Sequence, residues 1–190
     1  MNEADYAWSA ALARAIKRNR RDVHNRYLQL ATVRRDGTPA VRSLVCREFC
    51  TTSMQLRMVT DGRSGKVEEI ADNPAGEICW YFTHSREQFR LRGILALSGA
   101  DDGDQSARAA LWAALSDKAK EQFLWPHPAQ PVAAHPAPLL PVAEMPPDCF
   151  LALALAPHRV DHLTLRGEPQ TRFISTLGDA GQWTSVAVNP

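Results

Sequence analysis

The sequence predicts a mainly β protein, an antiparallel barrel with helices appended to it, on three observations. Strand-like stretches, alternating or rich in Val, Leu and Ile, recur from Tyr27 to Val188. Turn signals separate them, Asp36-Gly37 and Gly178-Asp179-Ala180-Gly181 being the clearest. The helical patterns stand apart from these strands, as in a barrel that carries its helices outside.

At 190 residues, 45% hydrophobic and with net charge +1, the chain reads as a single domain over 1–190 with enough apolar residues for a core. That near-neutral balance argues against a dedicated nucleic-acid binder, which is usually basic. Residues 1–21 are rich in charge and lack the apolar stretch of a secretory signal. The longest apolar run, Cys149–Ala156, is far shorter than the roughly 20 residues that cross a bilayer. Cys46, Cys50, Cys79 and Cys149 include no C-x-x-C pair and read as reduced thiols. The expected location is the cytoplasm, with no membrane or nucleic-acid partner.

The elements follow in order. An amphipathic helix is expected over about 4–20, with Trp8, Leu12 and Ile16 on one face beside Ala11 and Ala15. Lys17, Arg18, Arg20 and Arg21 sit where a helix C-terminus favours cations, and the helix should pack across one end of the sheet. Tyr27 to Val33 is the first strand, entering the Asp36-Gly37 hairpin, and the returning run carries Arg42 and Arg47. Met54, Leu56 and Met58 alternate with Gln55 and Arg57, a half-buried strand that ends in the turn Thr60-Asp61-Gly62. Ser64 is placed to cap a short helix with Val67, Ile70 and Ala71 on one side, which Asn73-Pro74 stops. Glu77 to Phe82 is nearly all apolar and reads as a strand buried on both faces. Gln88 to Leu97 is a long strand with Phe89, Leu91, Leu95 and Leu97 on one face and Gln88, Arg90 and Arg92 on the other. Gly93 within it marks a bulge or the close approach of another backbone or a ligand.

From about Asp104 the pattern turns helical along Ala107, Leu111, Ala114 and Leu115, and Ser116 looks like the cap of a further short helix ending near Phe123. A Pro-rich connection spans 126–147, holds eight of the chain's thirteen prolines and should wrap the surface in extended form. Trp112, Phe123 and Trp125 either line a ligand pocket or pin this connection to the barrel. Leu151, Leu153 and Leu155 alternate with alanines, giving a strand whose small face admits close approach by a helix or a second subunit. Val160–Leu165, Arg172–Leu177 and Trp183–Val188 complete the sheet.

The segment Val41–Lys66 organises the functional reading. It runs strand, hairpin, strand, tight turn and helix start, and gathers Arg42, Arg63, Ser64 and Lys66. Unpaired N–H groups at a helix start suit a phosphate, and arginine forks with a lysine point charge add to that set. A solvated basic turn is the plainer reading of Arg63-Ser64-Gly65-Lys66 alone. His158 and His162 lie four apart in a strand region, where that spacing does not converge on a metal. His84-Ser85 near Glu87 matches a catalytic triad only in composition.

The order of these motifs resembles the flavin-mononucleotide (FMN) site of the pyridoxamine 5′-phosphate oxidase-like split-barrel flavoproteins. Arg42-Ser43-Leu44-Val45 matches the family's first strand motif, Thr60 the Thr that closes the next strand, and Arg63-Ser64-Gly65-Lys66 the cluster that opens the helix. Gln88, with Gly93 five positions on, fits the place of the family's Gln. The likeness runs with gaps from about Tyr27 to Pro190. It implies a Greek-key-like split β-barrel, FMN as cofactor, and a homodimer with the flavin at the subunit interface, to which Arg172 of a second subunit is added. The cofactor residues it implies are thus Arg42, Ser43, Leu44, Val45, Thr60, Arg63, Ser64, Lys66, Gln88 and Arg172, with Arg47 and Trp112 at a small-molecule substrate.

Glu168 and Gln170 stand where the family's pyridoxamine phosphate oxidases carry an Arg-x-His. Oxidation of vitamin B6 phosphates is therefore expected to be weak or absent, and Leu111-Trp112, Leu115-Ser116 and Gln122–Pro126 echo a broader branch of FMN proteins. Two functions follow from the resemblance: an FMN-dependent oxidoreductase, or a non-catalytic flavin- or haem-binding protein on the same barrel. Retention of the phosphate cluster argues for FMN over a deazaflavin.

Overall fold

A computed structural model describes residues 7–102, 105–132 and 141–190. The predicted start of the first helix, Asp104 and the stretch 133–140 of the Pro-rich connection lie outside those residues. Helix α1 (Trp8–Asn19) buries Trp8, Ala11, Leu12 and Ala15, the stripe its spacing predicts. Trp8 meets the rings of Phe49 and Trp183 at 5.8 and 5.0 Å, so α1 packs against two distant parts of the sheet. Its last residue, Asn19, is buried. Its amide donates to Ser85 Oγ (2.9 Å), and its carbonyl oxygen accepts from the backbone N–H groups of His84 and Ser85.

Among the described residues, nine strands form one antiparallel sheet. They are β1 (Tyr27–Val33), β2 (Pro39–Val45), β3 (Glu48–Cys50), β4 (Gln55–Asp61), β5 (Ala75–Phe82), β6 (Glu87–Ser98), β7 (Phe150–Thr164), β8 (Thr171–Leu177) and β9 (Trp183–Val188). The order is β2-β1-β5-β6-β7-β4-β3, with β8 and β9 continuing from the second half of β7. Gly37, at φ +83°, turns the β1–β2 hairpin in the left-handed region that glycine enters freely.

Strand β7 joins what the sequence divides in two. Pro157 and His158 do not end the strand but sit at a bulge where the register against β6 shifts between Arg92 and Gly93. Gly93 is required there, because a Cβ on it would stand 2.1 Å from the Ala156 carbonyl oxygen. The strand β5 also departs from expectation: Ile78, Trp80 and Phe82 are buried, but Tyr81 is 40% exposed. Its apolar composition reflects one core face and one outward face rather than burial on both.

The main core collects α1, Leu28, Leu30, Leu56, Met58, Phe89, Leu91 and Leu155. A second cluster lies outside the barrel, formed by helix α3 (Ser106–Ala113), helix α4 (Asp117–Glu121) and the 3₁₀ turn Gln122–Leu124. Leu111, Trp112, Leu115, Phe123 and Phe150 make it, with Ala152 of the small face of β7 packed beneath. Buried Arg108 donates to the carbonyls of Phe150 (2.8 Å) and Pro147 (2.7 Å), tying the end of the Pro-rich connection to the barrel.

Candidate functional site

The strand order leaves β2 near one end of the sheet and β4 near the other. Between them opens a cleft of about 820 Å³, within the roughly 300–1,000 Å³ of small-molecule sites. Ser43, Leu44 and Val45 of β2 form one wall and Val59, Thr60 and Asp61 of β4 the other. Lys66, at the start of α2 (Lys66–Asp72), sits at one side, and Ser116, Phe123 and Trp125 approach from the outer helical cluster. The cleft therefore unites Ser43, Leu44, Val45, Arg47, Thr60 and Lys66, six positions nominated from sequence.

Lys66 is the centre of its electrostatics. Its ammonium donates to Thr60 Oγ1 (2.9 Å) and Ser64 Oγ (2.6 Å), and among the described residues it has no salt bridge. Burial, and then the neighbouring Arg42, push its pKa below the ordinary lysine value, with Asp61 and Glu69 opposing more weakly. A half-buried cation crowded by another cation, with hydroxyls as its hydrogen-bond partners among the described residues, is unfavourable by itself and suited to an incoming anion.

The neighbours of Lys66 are arranged differently from the expectation. Ser64 does not cap α2 with its side chain: its hydroxyl donates to the Asp61 carbonyl (2.7 Å) and Gly65 holds the cap position. Arg63 is paired with Asp61 (2.6 Å) and donates to the Trp125 carbonyl (3.1 Å), so it fixes a wall of the cleft. Burial raises the Asp61 pKa, but hydrogen bonds from Arg63 outweigh it and hold the carboxyl below its usual range. Arg42 donates to Glu69 Oε2 (2.6 Å) and to Thr32 Oγ1, which in turn donates to the same carboxylate. It adds its positive field to Lys66 without lining the cleft. Asp61 and Glu69 were not nominated from sequence; only Asp61, inside a turn motif beside two cations, carried any local signal.

Three nominated residues lie elsewhere. Trp112 is 2% exposed inside the outer cluster, and its indole N–H donates to the Ala143 carbonyl (3.3 Å), so it pins the Pro-rich connection and does not line the cleft. Gln88 and Arg172 share one row on the outer face of the sheet, through the register Tyr81–Gln88–Leu163–Arg172–Val188. Arg172 makes a two-pronged bond to Asp161 (2.9 and 2.7 Å). Arg90 and Arg92 both pair with Glu77 (2.6 and 3.2 Å), so the basic side of β6 is engaged within its own sheet.

Two further groups carry no chemistry here. Ser85, Glu87 and His162 do meet, with Glu87 accepting from Ser85 and lying 3.3 Å from His162 Nε2. The carboxylate stands between hydroxyl and imidazole, the reverse of the order that activates a serine. Burial pushes the Cys46 thiol up to about 12, which keeps it protonated at neutral pH.

A cation in excess, two hydroxyls and the apolar walls Leu44, Val45, Val59 and Phe123 fit a phosphate-bearing aromatic cofactor. Comparison with known proteins agrees. Residues 5–99 match the family described as pyridoxamine 5′-phosphate oxidase, FMN-binding domain. The pyridoxine/pyridoxamine 5′-phosphate oxidase 2 of Arabidopsis thaliana is 34% identical over 192 residues, covering 96% of each chain. A pyridoxamine 5′-phosphate oxidase-related, FMN-binding protein of Nostoc punctiforme superposes with a TM-score of 0.88 at 46% identity, over 100% of both chains. PhzG of Burkholderia lata, solved with tetrahydrophenazine-1-carboxylic acid, shares the fold at TM-score 0.77 over 100% of both chains, but is only 16% identical. The chain belongs to the pyridoxamine 5′-phosphate oxidase-like, FMN-binding split-barrel family.

Proposed function

We propose that this protein is an FMN-dependent oxidoreductase that acts on a small molecule as a cytoplasmic homodimer, with FMN between the subunits. The observation that carries this reading is Lys66, half-buried, repelled by Arg42 and, among the described residues, held by Thr60 and Ser64. Lys66 and the two hydroxyls would receive the flavin phosphate, with Arg42 reinforcing the field. Leu44, Val45, Val59 and Phe123 would cover the ring and keep water from it. When bound, FMN supplies the redox chemistry by accepting hydride at its N5 atom. The chain's own task is to bind, orient and desolvate, which requires no side-chain nucleophile.

The dimer is supported by the outer sheet face. Tyr81, Val186 and Val188 leave 40%, 55% and 36% of their surfaces exposed beside Gln88 and Arg172. A second copy covering that face would carry Gln88 and Arg172 towards its partner's flavin. The likeness to an Arabidopsis pyridoxine/pyridoxamine 5′-phosphate oxidase supports oxidase chemistry. Glu168 and Gln170 lie exposed in the loop before β8, and an acid there disfavours a second phosphate, so turnover of pyridoxamine 5′-phosphate is expected to be slow.

The test is an absorbance spectrum of the purified protein, then thermal melts with and without FMN and oxygen-uptake assays on amines and pyridoxamine 5′-phosphate. Flavin bands, or about 2.7 kcal/mol of added stability at a hundredfold excess over Kd, are expected. A colourless protein whose melt ignores FMN would contradict the reading.

A further inference from the structure

Lys66 and Glu69 stand at i and i+3 on α2, so one face of that helix carries a cation and a carboxylate as neighbours. Lys66 lines the cleft and Glu69 does not. Arg42 reaches Glu69 from β2. Strand alternation puts Arg42 on the same side as Leu44, a wall of the cleft, and its ladder partner is the buried Leu30. Its guanidinium donates to Glu69 Oε2 (2.6 Å), to Thr32 Oγ1 and to the Leu30 carbonyl (3.5 Å).

The form of this pair sets it apart. Arg35 with Asp72, Arg63 with Asp61 and Arg172 with Asp161 each engage two guanidinium nitrogens. Arg42 gives Glu69 one nitrogen on one oxygen, and among the described residues its Nε donates to no partner. A one-pronged pair keeps fork donors for a second anion, and a phosphate offers three acceptor oxygens and more charge than a carboxylate. Glu69 also has a second cation within reach. Arg34 Nε lies 3.9 Å from its Oε1, on a side chain that is 51% exposed. The Glu69 side chain is only 15% exposed, so leaving it unpaired is costly, and Arg34 removes that cost when Arg42 turns away.

We propose that Glu69 is an internal competitor of the cofactor phosphate: it holds Arg42 until a phosphate at Lys66 draws that guanidinium off, and Arg34 then closes on Glu69. Glu69 thereby sets cofactor affinity from outside the cleft, as a positioning residue that acts through Arg42. The inference rests on the flavin reading and deepens it, by making Arg42 a contact that exchanges partners rather than a fixed one.

Isothermal titration of FMN into the flavin-free full chain tests this, in about 0.5 M potassium chloride to screen long-range fields. Glu69→Gln keeps the shape and loses the charge. It should bind FMN about tenfold more tightly while unfolding at a lower urea concentration than wild type. A glutamate with a merely structural role would lose on both counts. In an Arg42→Gln background the same substitution should change FMN affinity by less than about twofold, because the gain runs through Arg42. Arg34→Gln, at an exposed position, should weaken FMN by about threefold, since Glu69 then has no second cation to take. This surface variant decides the matter even where the loss of Glu69 unfolds the chain. Equal or weaker FMN binding by Glu69→Gln, an undiminished gain in the Arg42→Gln background, or unchanged affinity in Arg34→Gln would each overturn the proposal. Those outcomes leave the flavin reading standing, whereas a wild-type chain that takes up no FMN overturns both.

Discussion

The cleft at the split of the barrel and the outer face of β5 to β9 both carry more cations than carboxylates and differ in how those cations are paired. On the outer face Arg90 and Arg92 meet Glu77, and Arg172 meets Asp161. In the cleft Lys66 meets two hydroxyls and a neighbouring arginine. If a second copy covers the outer face, as proposed, charges paired beforehand limit the cost, because an unmatched buried charge is costly. A site for an anionic ligand needs the reverse, since the ligand brings the missing charge. Counting arginines does not separate these cases; following the carboxylates does.

Substitutions in the two regions should have effects of different size and sign. The largest effect on stability is expected at Trp112, which the sequence places among substrate contacts and the fold places in the outer core. Trp112→Ala should cost about 3–5 kcal/mol in urea unfolding. If it instead left stability intact and removed a substrate effect, the assignment to packing would be wrong.

A smaller loss, about 1 kcal/mol at neutral pH, is expected for Asp161→Asn on the outer face. The hydrogen bond from Arg172 lowers the Asp161 pKa in the folded state. Its stabilisation is therefore complete above the unfolded carboxylate value, about 3.9, and is lost as pH falls through the lower folded value. Melting curves of wild type and variant should run apart above about pH 4 and converge below it. A gap that persists into acid would show that the pair is not its origin.

The smallest change in stability, and the one of opposite sign, is expected at Lys66. Its folded pKa lies below that of an unfolded lysine, so the unfolded chain binds the proton more tightly and the native state is penalised while Lys66 is charged. Lys66→Met should thus leave stability unchanged or raise it by up to about 1 kcal/mol at neutral pH. The difference should shrink as pH rises towards about 10.4. A loss comparable to that of Asp161→Asn would mean that Lys66 is an ordinary structural cation.

Much of this molecule is legible in the sequence because local rules decide it. Tyr27–Val33 is a strand at the predicted bounds, Asn73-Pro74 ends α2, and Gly93 sits where one backbone meets another. What is not legible shares a cause, which is that the deciding partner is far away in the chain. Tyr81 is apolar in composition yet faces out, because only the sheet order determines which side of β5 is core. Pro157 and His158 look like a strand end, but β6 supplies a bulge that carries the ladder past them. Arg63 pairs with its neighbour Asp61, but its second anchor, the Trp125 carbonyl, lies 62 residues on. Arg42 and Glu69 are 27 residues apart, and no local pattern joins them. Residues of the cleft walls were found because a motif order, not any single motif, places β2, β4 and the start of α2 together.

The most direct measurement is an isothermal titration of FMN into wild type and Lys66→Met at neutral pH, with both proteins shown to melt alike. Loss of a charge-assisted bond to phosphate, about 1.5–3 kcal/mol, should weaken FMN by roughly tenfold to a hundredfold with no loss of fold. Equal affinity in the two proteins would mean that the cation excess at the split of the barrel is not the flavin phosphate site.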